Sequence, residues 1–379
     1  MHISLKNNIE TIINTIETVG GEAYIVGGCV RDILLSRIPE DFDITTSLPP
    51  NQILSLFPKT IATGIKHGTI TVIIDNENIE VTTFRTDGTY LDSRRPNKVN
   101  FVNNINEDLA RRDFTINAMA YNYKTGLIDN FGGINDLNNK LLRCVGNPET
   151  RFNEDALRIL RLFRFSAQLG FDIEHNTLSS ALKNAHLLKN ISRERIASEL
   201  FKAINSENPT NLNPLLEIGA LEFCGIKKGK LDNAISSIPN DRNLRFYYLL
   251  RNLNCDHSLV CQQLKTDKKI FLICQEINKI INIPPKNKLE CKFLLKNFTY
   301  DAVKYTIILN NCDEEILLST ITSGEPYLLK HLNIKGEDLI KLGIKGKDIG
   351  KTLDNLLQYV INEPEKNKKE HLIKRLCNK

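Results

Sequence analysis

The sequence holds no apolar run approaching the roughly 20 residues that span a bilayer. Its first residues, Met1-His-Ile-Ser-Leu-Lys-Asn-Asn8, show neither the basic opening nor the apolar core of a signal peptide. A cytoplasmic protein without a membrane partner is therefore expected. Its 9 cysteines form no Cys-x-x-Cys and accompany no paired histidines, which argues against zinc and for reduced core thiols. Cys29 has no histidine near it in sequence to make it a nucleophile. A large excess of one charge is missing too, the net value being +5. The imbalance sits at the end: residues 335–379 hold 11 Lys+Arg against 7 Asp+Glu, fit for an RNA backbone or simply for a solvated helix face.

What is present is a soluble globular composition, 41% hydrophobic and 25% charged, in a 379-residue chain long enough for two or more domains. The most informative stretch is Ala23-Tyr-Ile-Val-Gly-Gly-Cys-Val-Arg-Asp-Ile-Leu-Leu-Ser-Arg-Ile-Pro-Glu-Asp-Phe-Asp-Ile-Thr45. It reads as a buried strand over 23–26, a Gly27-Gly28 turn, a helix over 30–37 and a second strand carrying Asp41 and Asp43. Strand residues two apart share a face, so the two carboxylates project side by side and repel unless a cation lies between them. Oxygen ligands of this kind suit Mg²⁺, which takes a few carboxylates together with substrate phosphates. Backbone N–H groups at Gly28 favour phosphate, and Arg31, one turn on, can reach a triphosphate. Asp32 is expected to pair with a nearby arginine. The combination points to phosphoryl or nucleotidyl transfer.

Along the chain, residues 3–19 space their apolar positions as an amphipathic helix that packs on the sheet. Residues 69–74 and 78–84 read as an antiparallel pair around Asp75-Asn76-Glu77. Glu80 is either a third member of the carboxylate set or an exposed strand residue. Residues 85–98, polar and punctuated by Gly and Pro, read as a mobile loop. In residues 107–121, Arg111, Arg112, Asp113 and Asn117 are more polar than a core element should be; guanidinium groups bind triphosphate oxygens, while Asp and Asn can hold ribose hydroxyls. In residues 151–165 Asn153 can N-cap a helix whose first turn suits Glu154 and Asp155. Asp155 and Arg158 then project together. A carboxylate only accepts and a guanidinium only donates, which suits the amino-beside-acceptor edges of cytosine and adenine and opposes uracil and guanine. Arg161 and Arg164 continue along the same helix.

Three strings carry a family resemblance: Gly-Gly-x-Val-Arg-Asp-x-Leu-Leu-x-Arg followed by Asp-x-Asp, Arg-Arg-Asp-Phe-Thr-Ile-Asn-Ala, and Glu-Asp-x-x-Arg. Together they resemble the class II CCA-adding enzymes and bacterial poly(A) polymerases. The resemblance implies an α+β fold, with a nucleotidyltransferase (polymerase beta-like) head followed by an all-helical neck, body and tail. The expected boundaries are 1–139 for the catalytic head, 140–204 for the neck with its base-reading helix, 205–290 for the body and 291–379 for a tRNA-binding tail. It implies a tRNA nucleotidyltransferase that adds C, C and A to the tRNA 3′ end from CTP and ATP. Asp41 and Asp43 would be catalytic and would hold two Mg²⁺ ions. Gly28, Arg31, Arg112, Asp155, Arg158, Arg161 and Arg164 would bind the nucleotide. In this family a flexible loop at the place of residues 85–98 assists addition of A. The Gly-Lys turns of residues 332–353 resemble the family's tail motif, and no His-Asp hydrolase motif is appended. The neighbouring alternatives are a CC-adding enzyme, an A-adding enzyme and a poly(A) polymerase. From another class comes a non-catalytic RNA-binding protein, against which the intact Asp41 and Asp43 argue. Oligomeric state carries no signal in the sequence.

Overall fold

Ile9, Ile12, Ile13 and Ile16 recur at helical spacing and are fully buried on one side of helix α1 (Asn7–Thr18). Burial of each contributes about 2 kcal/mol. This is seen in a computed structural model that describes residues 3, 5–88 and 99–377. The chain divides into two units, Met1–Ser236 and Ser237–Lys379.

In the first unit the strands up to residue 128 are β1 (Ala23–Val26), β2 (Asp43–Thr46), β3 (Thr60–Gly64), β4 (Thr69–Ile74), β5 (Glu77–Thr83), β6 (Arg85–Asp87), β7 (Val99–Phe101), β8 (Ala120–Asn122) and β9 (Gly126–Ile128). Among the described residues seven of them form one mixed sheet in the order β3-β4-β5-β2-β1-β8-β9. β1 is buried at every position, as an uninterrupted apolar strand at the centre of a sheet should be. The β4–β5 hairpin turns at Asp75 and Asn76, with φ of 50° and 61°. Positive φ at both central residues matches the right-handed twist of the strands, and Asp and Asn tolerate it. β2 and β5 run parallel, with Asp43 beside Glu80.

Asp41 departs from the expected strand. β2 begins at Asp43, and its last pairing with β1 is Ile25 to Ile44. β1 ends at the glycine turn, so the residues before Asp43 have no strand left to pair with. The segment 85–98 is ordered at its root, where Arg85–Asp87 pairs with Val99–Phe101. The rest of that expected loop, 89–98, lies outside the described residues.

The remaining helices that matter for the site are α2 (Gly28–Leu34), α3 (Pro50–Leu56), α4 (Ile105–Ala110), α5 (Gly133–Asn138), α6 (Pro148–Glu154), α7 (Leu157–Leu169), α8 (His175–Asn184) and α9 (Arg193–Ile204). The helix expected to start at Asn153 starts later, as α7, and a separate short helix, α6, precedes it. Asn147 caps α6 by accepting the Thr150 N–H (3.2 Å), and Pro148 fits its first turn. The backbone becomes extended at Asp155, whose Oδ1 accepts the Leu157 N–H at 3.0 Å where α7 begins. Asn153 is thus inside α6 and is not a cap. α7 ends at Gly170, at φ 68°. A two-residue parallel ladder, Leu141–Leu142 with Asp172–Ile173, interrupts the otherwise helical neck.

The second unit is helical throughout its described elements. Asp241, Asp256, Asp267, Asn287 and Thr299 each accept a backbone N–H at a helix start. Leu332, Ile334, Leu339, Leu356, Leu357, Val360, Ile361 and Leu372 form one buried cluster under the Gly-Lys segment. Gly343 and Gly346, at φ 84° and 58°, turn the chain between helices Gly336–Lys341 and Lys347–Asn362. Among the described residues no helix is long and apolar enough to cross a membrane.

Candidate active site

The carboxylates stand at one end of the sheet. Asp43 opens β2, Glu80 lies beside it in register on β5, and Asp41 sits just upstream; all three reach solvent. The Asp43 carboxyl is pushed above the usual carboxylate range, first because flanking protein strips water from it. Glu80 and Asp41 push the same way, while Arg112 pulls it down. Glu80, left open by the sequence, is therefore a neighbour of the pair. Among the described residues no three His, Cys, Asp or Glu side chains converge into a closed metal cage. The donors available at Asp41 and Asp43 are oxygens only, mutually repelling and open on one side. Such a set fits a hard cation that keeps water or phosphate as its other ligands.

The glycine turn lies next to them. Gly27 has φ +79°, which the backbone here reserves for glycine, and a Cβ built there would come within 2.8 Å of the Arg112 Nη1 and displace it. Gly28 is the first residue of α2. Arg112 gives one Nη2 hydrogen bond to Asp108 (3.2 Å), and its buried Nε has no partner among the described residues. A buried donor left open is costly, and an anionic acceptor would relieve it. Arg31 is more fully occupied. Its Nη1 donates to Asn117 Oδ1 (2.8 Å), its Nε to Asp32 (2.9 Å), and its guanidinium lies over the Phe165 ring at 5.2 Å. Asp32 thus pairs with an arginine, as expected.

Asp155, Arg158 and Arg161 join Arg111, Arg112, Asp113, Leu157 and Arg195 around one open cavity of about 250 Å³. Every charged group that carries its shape is braced. Asp155 Oδ2 accepts from Arg195 Nη2 at 2.8 Å. Arg158 donates to Glu154 Oε2 (2.5 Å) and to the carbonyls of Arg151 (3.1 Å) and Arg111 (2.9 Å). Arg161 Nε donates to Asp113 Oδ2 (2.8 Å), whose other oxygen accepts from the Phe114 N–H (2.8 Å) and Asn117 Nδ2 (3.2 Å). Burial acts to raise the Asp113 carboxyl, but Arg161 and these donors outweigh it and hold it at about 2. Arg164 does not line the cavity. It meets Glu199 at 2.6 Å, a charge contact whose angle leaves both atoms without a proper hydrogen bond. Its guanidinium also lies 3.9 Å over Phe165. Burial draws Arg164 down to about 10, so it stays charged at neutral pH.

The structure therefore brings Asp41, Asp43, Gly28 and Arg112 to one place and Asp155, Arg158, Arg161 and Arg112 to another, with Arg112 common to both. Arg31 and Arg164 stand behind, as supports around Phe165. Sequence reasoning missed Arg195 and Glu199, which brace the cavity from α9. Their signal was only an acid and a base on a helix some 40 residues downstream, whose expected cap, Ser192, makes no side-chain capping hydrogen bond. Cys29 is buried, and burial raises its thiol, which fits a core residue.

Two family descriptions match: "Poly A polymerase head domain" over residues 23–143, and "Probable RNA and SrmB- binding site of polymerase A" over residues 170–224. A CCA-adding enzyme of Enterococcus faecalis is 35% identical, with 96% of this chain and 93% of the relative covered. One of Lactobacillus delbrueckii subsp. bulgaricus is 36% identical over 93% of this chain and 92% of the relative. Among solved structures, the Bacillus stearothermophilus CCA-adding enzyme in complex with CTP superposes with a TM-score of 0.84. It is 30% identical, with 99% of each chain covered.

Proposed function

The chain belongs to the CCA-adding enzyme family, and from that premise we propose that it adds C, C and A in turn to the 3′ end of tRNA. It is a template-independent RNA nucleotidyltransferase; the nucleotides come from CTP and ATP, and pyrophosphate leaves. The observation that carries the reading is the single cavity in which an acceptor-only Asp155 and a donor-only Arg158 stand together, reached by the same Arg112 that faces Asp43.

In this reading the chain's own residues do the following. Asp155 and Arg158 accept from and donate to the base edge, matching cytosine and adenine and leaving uracil and guanine mispaired. Arg195 and Glu154 hold that pair in place. Arg112, with its open Nε, and the N–H groups at Gly28 take the triphosphate, with Arg161 beside them and Arg31 and Arg164 setting the frame. Asp41 and Asp43 hold Mg²⁺, which family members as nucleotidyltransferases generally need in some divalent form. A metal held there would supply Lewis-acid activation of the 3′-hydroxyl and charge stabilisation for the departing pyrophosphate. The proposed division is a catalytic head over 1–139, a neck over 140–204, a body over 205–290 and a tRNA-binding tail over 291–379, in a cytoplasmic protein.

The test is extension of a tRNA transcript ending at its discriminator base, with CTP, ATP or both, and sequencing of the 3′ ends. Two C's with CTP alone, and a terminal A only with both nucleotides, are expected. Arrest at CC, a run of A's or no extension would replace the reading by a CC-adding enzyme, a poly(A) polymerase or a non-catalytic RNA-binding protein, respectively.

A further inference from the structure

Asp108 has a fully buried side chain, yet it touches none of the groups assigned above to base or metal. Its two oxygens are nonetheless saturated. Oδ1 accepts from Arg111 Nη2 (2.8 Å), Arg111 Nε (3.0 Å) and the Arg85 N–H (3.3 Å), and Oδ2 accepts from Arg112 Nη2 (3.2 Å). A buried carboxylate is tolerated only when so paired. Burial acts to raise it, but Arg112 and Arg111 win and hold it below the usual carboxylate range.

The partners define what this carboxylate does. Among the described residues the Arg112 guanidinium makes no other hydrogen bond, its buried Nε has no partner, and its Nη1 lies against Gly27 at the start of α2. One ion pair therefore decides where this guanidinium sits over the glycine turn. Arg85 is where the chain leaves β5: the Phe84 N–H is held by the Thr46 carbonyl (2.7 Å), and the next N–H by Asp108. Asp108 thus ties the arginine pair at the end of α4 to the chain leaving β5 at the Thr46–Thr83 end of the β2–β5 ladder, the end opposite the Asp43–Glu80 pair.

We infer that Asp108 is a positioning residue for the triphosphate end of the nucleotide site, acting through Arg112. The inference rests on the nucleotide-transfer reading above. Because Asp155 and Arg158, which read the base edge, make no side-chain contact with Asp108, Asp108 sets affinity for the triphosphate without setting the choice of base.

The experiment is a double-mutant cycle of Asp108→Asn and Arg112→Gln, measured as CTP affinity by calorimetry and as KM, kcat and CTP-over-UTP selectivity in tRNA extension. Asp108→Asn should raise Kd and KM for CTP about tenfold, as loss of one charge-assisted partner does. Selectivity should stay unchanged. In the Arg112→Gln background the second substitution should add less than about twofold, since the two act as one unit. Runs at 10 °C, below any lowered melting temperature, keep a purely structural loss out of the reading. If Asp108→Asn does not fold, Asp108→Glu, which moves the charge by one methylene, should also raise KM. A folded Asp108 variant with wild-type CTP affinity, or effects that simply add to those of Arg112→Gln, overturns this inference alone. A wild-type chain that binds no CTP overturns the function and the inference together.

Discussion

Asp43 and Asp113 are the same residue type in the same unit, and the fold treats them oppositely. Asp43 is partly stripped of water by flanking protein and has the acids Glu80 and Asp41 for neighbours, so its carboxyl is pushed up despite Arg112. Asp113 has Arg161, Asn117 and a backbone N–H, and is held at about 2. The sheet end is electrostatically unfinished, and a cation would complete it. Along α7 each acid of the cavity is matched to a base before any ligand binds, and Arg112, at its edge, keeps a donor to spare. The former is built to receive charge, the latter to keep a shape.

The contrast can be broken most sharply at its open end. Asp41→Ala or Asp43→Ala should lower kcat by on the order of 10³ or more, with tRNA binding nearly intact. Loss of both activities together would count against the assignment. In metal-free protein, Asp43→Asn should raise the melting temperature, because a raised carboxyl pKa means the charged form opposes folding. Next in size, Asp155→Asn, which turns an acceptor into a partial donor, should cut C-over-U selectivity by about 10², read as the ratio of kcat/KM for CTP and UTP. At the closed end the sign of the stability effect reverses. Asp113, depressed from 3.8 to about 2, stabilises the fold by about 2 kcal/mol above the unfolded value. That contribution is fully present above about pH 4 and disappears as pH falls through about 2. Urea unfolding of Asp113→Asn should show a loss of this size at pH 7 and less dependence on acid between those limits. The smallest effect expected is from Arg195→Ala, which loosens Asp155 without removing it: selectivity should fall about fivefold, the equivalent of one hydrogen bond.

The parts of this site legible in the sequence are those whose cause is local. Ala23–Val26 is an apolar run closed by two glycines, and its strand ends where expected. The Asp-x-Asp is recognisable, but β2 starts two residues later than its alternation suggests, because its start depends on where β1 stops, and that is a pairing across the sheet. Two helix-start signals, Asn147-Pro148 and Asn153-Glu154-Asp155, compete within nine residues. Both are used, and tertiary contacts choose Asp155 over Asn153 for the second. Arg195, Glu199 and Asp108 were invisible as site residues for a plain reason. Each is an ordinary charge on a helix until folding places its partner, and those partners lie 3 to 40 positions away.

The break between α6 and α7 gives Asp155 two employers. One oxygen starts a helix, and the other faces Arg195 at the edge of the cavity. A substitution there cannot alter base preference without also testing whether α7 still begins in the same place. In a saturation library at this codon, survivors selected for folding alone should be enriched in Asn, Ser and Thr, the side chains that can still cap. Any variant recovered with new base preference should come from that small set, or carry a second change that supplies the lost cap. Evolution of specificity at this position is thereby channelled through the grammar of helix initiation.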